Sequence, residues 1–589
     1  MTGVKTANMP GARRLRLGLV LFSALLLVIA GRLVWVQVIE GPAIAAEGLT
    51  KRTTTQVLPA TRGEILDANG IVLARSVLNY EIVADPSISA KADSFDIHQP
   101  DNSARHVTAE EGIKELSGIL GMEASMVKAA LTGPGRFAYV ARSIAPEVEE
   151  RVMNLGFPGI SSQAVQKRVY PLGAVGGNVV GYVNDQMHGA GGAEQTLDDE
   201  LTGTPGSRRF EMGADGVLIP QAPIDLSKPA DGKNVRLTID SNLQFQAQNA
   251  ISASVAQLHA EWGSIIVVES KTGKIRAMAD TTPMDPNNPG ASKPEDRGIR
   301  SITAALEPGS TEKAVTAAGA LEQNKVQPLT QLVVPPVLSI DGQGIHDSFD
   351  HGTLHMTFAG VLGYSLNTGS VMAGSELTRQ ERYDWLTKFG VGHQTGIQLP
   401  GESGGILATP DKWDGRQQYT VLFGQGVAQT PLQTAMIYQS IANGGVRLKP
   451  QIVEPAAAAD GKSAPQADTG TRVVSPETDQ KLKDILESVV TAGEVQDVKV
   501  PGYRVGGKTG TAETAATDGS GLHGYTASFV GMAPMEDPKY VALVLVQHPQ
   551  GNIYGISQAP VFNSVMAATL NAYNVAPSTT APVKLAQKY

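Results

Sequence analysis

Residues 17–39 form a run of 23 residues whose only charge is Arg32, and this run constrains the fold most. As a helix it measures about 34 Å, enough to cross the hydrocarbon core of a bilayer. Lys5, Arg13, Arg14 and Arg16 precede it, with no acidic residue among the first sixteen. That asymmetry predicts a cytoplasmic N-terminus, with everything after about residue 40 outside. Arg32 lies near the far end, where its long stem can reach the interface beside Trp35. A cleaved signal peptide competes with this reading, because Ala43-Ile44-Ala45 resembles a cleavage site. The length of the run and its continuation past Arg32 favour an uncleaved, single-pass anchor in the cell membrane.

The remaining 550 or so residues must fold outside, and 589 residues in all give a prior of three to four domains. A net charge of -9 with 5% aromatic residues excludes a basic nucleic-acid binder and a wholly disordered acidic chain. Cysteine is absent, which removes disulfide scaffolds, thiolate metal sites and cysteine nucleophiles together. Disulfides are permitted outside the cell but not required, so their absence does not contradict the placement.

The outer part divides by texture. Thr53 to Leu58, Glu64 to Leu66 and Ile71 to Leu73 read as strands, with Asn69-Gly70 as a hairpin turn. Residues 108–157 turn helical and residues 170–206 are glycine-rich loops, giving a mixed α/β pedestal over 40–234. From residue 235 to 575 the pattern becomes a helix from Leu243 to Leu258 and strands around 264–270, 504–511, 524–533 and 539–547. This predicts an α+β domain, one antiparallel sheet packed by helices. Residues 455–471 form an Ala/Pro-rich loop, and the polar tail 576–589 is expected to be disordered.

Three short motifs carry chemistry. Ser310-Thr311-Glu312-Lys313 opens a helical run, placing a lysine amine one turn from a serine hydroxyl near backbone N–H groups at a helix start. Ser365-Leu366-Asn367 follows an apolar helix, and taken alone it reads as a helix cap before it reads as a site. Lys508-Thr509-Gly510-Thr511 lies in a strand whose glycines would let a peptide pair alongside it. Two decoys repeat the spacing. Ser125 to Lys128 lies in the pedestal, and Lys271-Thr272-Gly273 reads as a turn between two strands.

S-x-x-K, S-x-N and K-T-G in this order resemble the signature set of penicillin-binding proteins and serine β-lactamases. Arg62-Gly63-Glu64-Ile65-Leu66-Asp67, Arg168-Val169-Tyr170-Pro171, Gly189 to Glu194, Leu237 to Asp240 and Phe423 to Gly426 extend the resemblance to class B penicillin-binding proteins. It covers roughly residues 15–575. It implies a membrane-anchored peptidoglycan D,D-transpeptidase that cross-links stem peptides ending in D-Ala-D-Ala and takes β-lactams covalently at Ser310, with no cofactor. In that family's terms Ser310 is the nucleophile, Lys313 the base and Ser365 the proton relay. Asn367 holds the donor peptide, Lys508 and Thr509 supply positive potential and carboxylate contact, and Gly510 and Thr511 complete the substrate strand. The N–H groups of Ser310 and Thr511 form the oxyanion hole. For Lys313 to be neutral near pH 7 its pKa must fall by about 3 units, which burial and the like charge of Lys508 would supply.

Glu312 departs from the pattern: facing the cleft, a carboxylate would oppose lowering the Lys313 pKa; facing solvent, it would not. The anchor sequence, Thr395 to Glu402 and Ala559 to Phe562 resemble the septal enzyme more than the elongation enzyme. A polytopic membrane glycosyltransferase and division proteins are the implied partners. The alternatives are an elongation-type transpeptidase, a hydrolase that passes the acyl group to water, and a β-lactam sensor or structural protein. His346, Asp347, Asp350, His351 and His355 cluster without a metal motif and read as a polar loop leading into the Ser365 helix, with no metal expected.

Overall fold

The computed structural model describes residues 10–98, 103–211, 225–455, 469–515 and 522–589. Most of the Ala/Pro-rich loop (456–468) and the first nine residues of the basic tail lie outside the described residues. The chain divides into two compact units, residues 1–61 with 203–231, and residues 62–202 with 232–589.

In the first unit a helix from Pro10 to Val34 continues through a wider π turn, Trp35–Ile39. The stretch Arg13–Ile39 is long and apolar enough to span a membrane, and none of it is buried against protein. Arg32 Nη1 lies 3.6 Å from Glu40, whose Oε1 also accepts from Trp35 Nε1 at 2.9 Å. The helix end is thus fixed by its own charged and aromatic pair. A three-stranded antiparallel sheet pairs Thr53–Leu58 with Gly206–Glu211, and the latter with Asp225–Ser227.

The second unit begins with the rest of the pedestal. Val72–Ala84 pairs antiparallel with Ile160–Val169 from Arg75 to Ala84, and with Ala138–Ile144 over its second half. Phe95, Leu116, Leu131 and Phe157 form a separate apolar core beneath these strands. The motif residues of this region converge on one buried carboxylate: Arg62 Nη2 and Arg168 Nε reach Glu194 at 2.6 and 2.7 Å. The pedestal is joined to the domain after it, since Val235–Arg236 runs parallel to Ile65–Leu66 and Ile65, Leu73 and Tyr170 belong to the large core. Ser125 and Lys128 lie on the pedestal helix Ala124–Thr132, with Lys128 Nζ 3.9 Å from Glu110 and mostly exposed.

The large core surrounds one antiparallel sheet. Its strands are β1 (Trp262–Glu269), β2 (Ile275–Asp280), β3 (Gly506–Ala515), β4 (Leu522–Ala533) and β5 (Tyr540–Gln547), in the order β2-β1-β5-β4-β3. Every residue of β5 is buried, as its apolar run Tyr540–Val546 requires of a strand covered on both faces. Helices Ser241–Gln257, Pro431–Ala442 and Ala559–Ala572 supply the cover. Lys271-Thr272-Gly273 is the tight connection of β1 to β2, with Gly273 at φ +72°. The order leaves β3, the K-T-G strand, at the edge of the sheet.

The tail corrects the sequence reading. Residues 576–589, expected to be disordered, lie in an extended path over the second unit and bridge Met356 through Lys588. Composition alone misleads here because the tail is held by backbone hydrogen bonds, which do not depend on side-chain polarity.

Candidate active site

Ser310 and Lys313 stand at a single tight turn, Gly309–Glu312, that feeds helix α1 (Lys313–Glu322). Gly309 takes φ +56°, and its N–H donates to Gly424 O at 3.0 Å, so the turn rests on the Phe423 to Gly426 loop. The K-T-G strand approaches just as closely. A Cβ on Gly510 would lie 2.4 Å from Ser528 Oγ and 2.9 Å from Pro308 O, so only glycine lets β3 pass the Ser310 turn. Ser310 itself is half-buried, and among the described residues its hydroxyl has no hydrogen-bond partner.

Helix α2 (Phe358–Gly363) ends at Tyr364 and the chain then reverses through Ser365 at φ +56° into helix α3 (Asn367–Gly374). This reversal presents the serine and the asparagine to one lysine. Lys313 Nζ donates to Ser365 O at 2.5 Å and Asn367 Oδ1 at 2.7 Å, and lies 3.4 Å from Ser365 Oγ. From the opposite wall Lys508 Nζ donates to Ser365 Oγ at 2.8 Å and to Thr509 Oγ1 at 3.2 Å. Both lysines are buried to within 1% of their surface. Burial, and then the neighbouring Lys508 charge, hold Lys313 well below the usual lysine range, with Asp347 opposing. Burial lowers Lys508 to about 7. Thr509 and Thr511 stay half-exposed, and Thr511 Oγ1 accepts from Gly555 N at 3.1 Å.

Glu312 takes neither placement considered for it. It is buried, its Oε2 accepts from Gln429 Nε2, and among the described residues its Oε1 has no partner. Burial raises its pKa to about 8, so at neutral pH it is an uncharged acid and does not oppose a neutral Lys313.

Sequence reasoning missed the support beneath Asn367. Asp347 Oδ1 accepts from the N–H groups of Asn367 and Thr368, while Oδ2 accepts from Thr368 Oγ1 at 2.7 Å and meets His351 Nε2 at 2.8 Å. One carboxylate therefore closes the first turn of α3 and orients the S-x-N asparagine, whose Nδ2 donates to His346 O at 3.1 Å. His355 faces Tyr589 instead, with ring centroids 5.4 Å apart. The clustering of these side chains was visible in the sequence; which group they serve was not.

A serine on a tight turn, two buried lysines converging on a second serine, and an exposed sheet edge beside them define a serine acyl-transfer site. Residues 263–567 match the penicillin binding protein transpeptidase domain and residues 57–237 the penicillin-binding protein dimerisation domain. The chain belongs to this family, as a class B penicillin-binding protein and a serine-type transpeptidase. It is 32% identical to penicillin-binding protein PbpB of Mycolicibacterium smegmatis, over 95% of this chain and 90% of that protein. It is 31% identical to the peptidoglycan D,D-transpeptidase FtsI of Escherichia coli K12, over 93% and 90%. The crystal structure of penicillin binding protein 3 from Mycobacterium tuberculosis complexed with aztreonam superposes with a TM-score of 0.67 at 27% identity, covering 90% of this chain and all of that one.

Proposed function

We propose that the chain is a membrane-anchored peptidoglycan D,D-transpeptidase of the septal type, acting through an acyl-enzyme on Ser310. The observation that carries the reading is the convergence of Lys313 and Lys508 on Ser365 Oγ, at 3.4 and 2.8 Å, beside the Ser310 turn. Neutral Lys313 takes the Ser310 proton as Oγ attacks the carbonyl carbon between the two terminal D-alanines. The peptide C–N bond breaks, and the leaving amine receives its proton by way of Ser365. The N–H groups of Ser310 and Thr511 stabilise the oxyanion. An amine from a second stem peptide then attacks the ester, loses its proton along the same path, and releases Ser310 with its hydrogen restored.

Asn367 and the outer edge of β3 hold the donor peptide as an added strand, with Lys508 and Thr509 at its terminal carboxylate. β-Lactams, the ligand class in the aztreonam complex of the Mycobacterium tuberculosis relative, acylate the same serine. The domain plan is a cytoplasmic tail 1–16, a membrane span 17–39, a pedestal 40–234 and a transpeptidase domain 235–575. The basic flank before the span supports a cytoplasmic N-terminus and a catalytic domain outside the membrane. A polytopic glycosyltransferase and division proteins are its partners in septal wall synthesis.

The test is incubation of the purified chain with fluorescent penicillin, with the adduct located by peptide mass spectrometry. A stable adduct on Ser310, absent in Ser310→Ala, is expected. Rapid release of hydrolysed drug would make the protein a lactamase, and no adduct on folded protein would refute Ser310 as the nucleophile.

A further inference from the structure

We propose that the tail, residues 576–589, is a strap that positions the Ser365 turn against the K-T-G strand. It runs from one wall of the cleft to the other. At its start Ser578 N donates to Gly502 O at 2.9 Å, and Arg504, two residues before β3, donates its N–H to Ser578 Oγ at 2.8 Å. Midway, Leu585 N donates to Ser488 Oγ at 2.9 Å on helix α4 (Pro476–Thr491), which packs on β3. At its end Thr357, the residue that caps α2, donates N–H to Gln587 O at 3.0 Å and Oγ1 to Ala586 O at 2.5 Å.

Helix α2 is shaped to receive the strap. A Cβ at Gly360 would lie 1.9 Å from Gln587 O, and one at Gly363 would lie 1.9 Å from Gln587 Oε1. Gln587 is buried in that notch, and Lys588 Nζ sits 5.0 Å above the ring of Tyr364, the residue before Ser365. Six residues make a helix too short to hold itself, and a non-glycine residue at positive φ persists only where its surroundings over-determine it. The strap supplies both restraints at the base of the turn that presents Ser365 Oγ to both lysines. Gln587 and Lys588 are thus positioning residues.

The inference rests on the acyl-enzyme reading, and its test separates the two. The full chain in detergent is compared with a chain ending at Ala576, measuring the first-order acylation rate, the non-covalent penicillin affinity and the label bound per chain. The shortened chain should acylate at least tenfold more slowly, with affinity and labelling stoichiometry kept, and a synthetic 576–589 peptide should restore the rate. Gly360→Ala should cause the same loss in the full chain and no further loss in the shortened one. A shortened chain within twofold of the parent rate, a drop in stoichiometry at unchanged rate, or losses that multiply would overturn the strap. If the shortened chain cannot be purified, Gly360→Ala in the full chain decides by the same rate and stoichiometry criteria. A parent chain that takes no label at Ser310 would instead refute the reading beneath it.

Discussion

Lys508 Nζ lies 2.8 Å from Ser365 Oγ, although the two residues are 143 positions apart in the chain. The same hydroxyl lies 3.4 Å from Lys313 Nζ, so a single oxygen connects two buried amines. Burial disfavours charge on both, and the Lys508 charge raises the cost of charging Lys313 further.

The acylation rate should therefore pass through a maximum in pH. Its alkaline limb should fall near pH 7, where Lys508, held at about 7, loses the charge that attracts a carboxylate. Lys508→Ala should lower acylation by roughly 10²–10⁴-fold and abolish that limb. It should also move the acid limb to higher pH, because Lys313 loses the like charge that keeps it neutral. An acid limb that stays in place would show that the two amines are not coupled.

Glu312→Gln should leave acylation within about threefold of the parent, because the native side chain is already neutral at pH 7. Its effect should appear in stability. A buried acid at about 8 binds a proton in the folded state that the unfolded chain has released above about 4.5. Native stability from this group is therefore complete below pH 4.5 and drains away as pH rises to about 8. The full swing is on the order of a few kcal/mol. Melting curves of the glutamine variant should gain most over the parent at pH 8 and least at pH 5.

Asp347→Asn should weaken the protein and the site together. The variant leaves His351 and the first turn of α3 without their carboxylate, a loss of about 1–3 kcal/mol. Asp347 also opposes the lowering of Lys313, so its removal should shift the acid limb of acylation to lower pH, opposite to the Lys508 variant. Parallel pH profiles of the two variants check the sign.

Gly510→Ala should separate the K-T-G strand from the Ser310 turn, since its Cβ would lie 2.4 Å from Ser528 Oγ and 2.9 Å from Pro308 O. Such overpacking costs about 1–3 kcal/mol and should lower acylation by about tenfold or more. Gly551→Ala, where no atom of the described residues lies within 4 Å, serves as the control for glycine replacement, although its φ of +81° carries its own backbone strain.

Much of this molecule is written locally. The apolar run before residue 40, the hydrophobic run Tyr540–Val546 and the turn at Lys271-Thr272-Gly273 depend on neighbouring residues, as periodicity and turn chemistry do. The three motifs were legible for the same reason, being short runs in a fixed order. What tertiary structure alone decided is the state of their groups. Glu312 is neutral because the surrounding core excludes water from it, and this burial outweighs the hydrogen bond from Gln429, 117 residues away, which favours the charged form. Asn367 is aimed by Asp347, and the polar tail is ordered by backbone partners on Thr357 and Gly502. A sequence names the side chains; their charge and orientation depend on burial and on partners that only folding brings within reach.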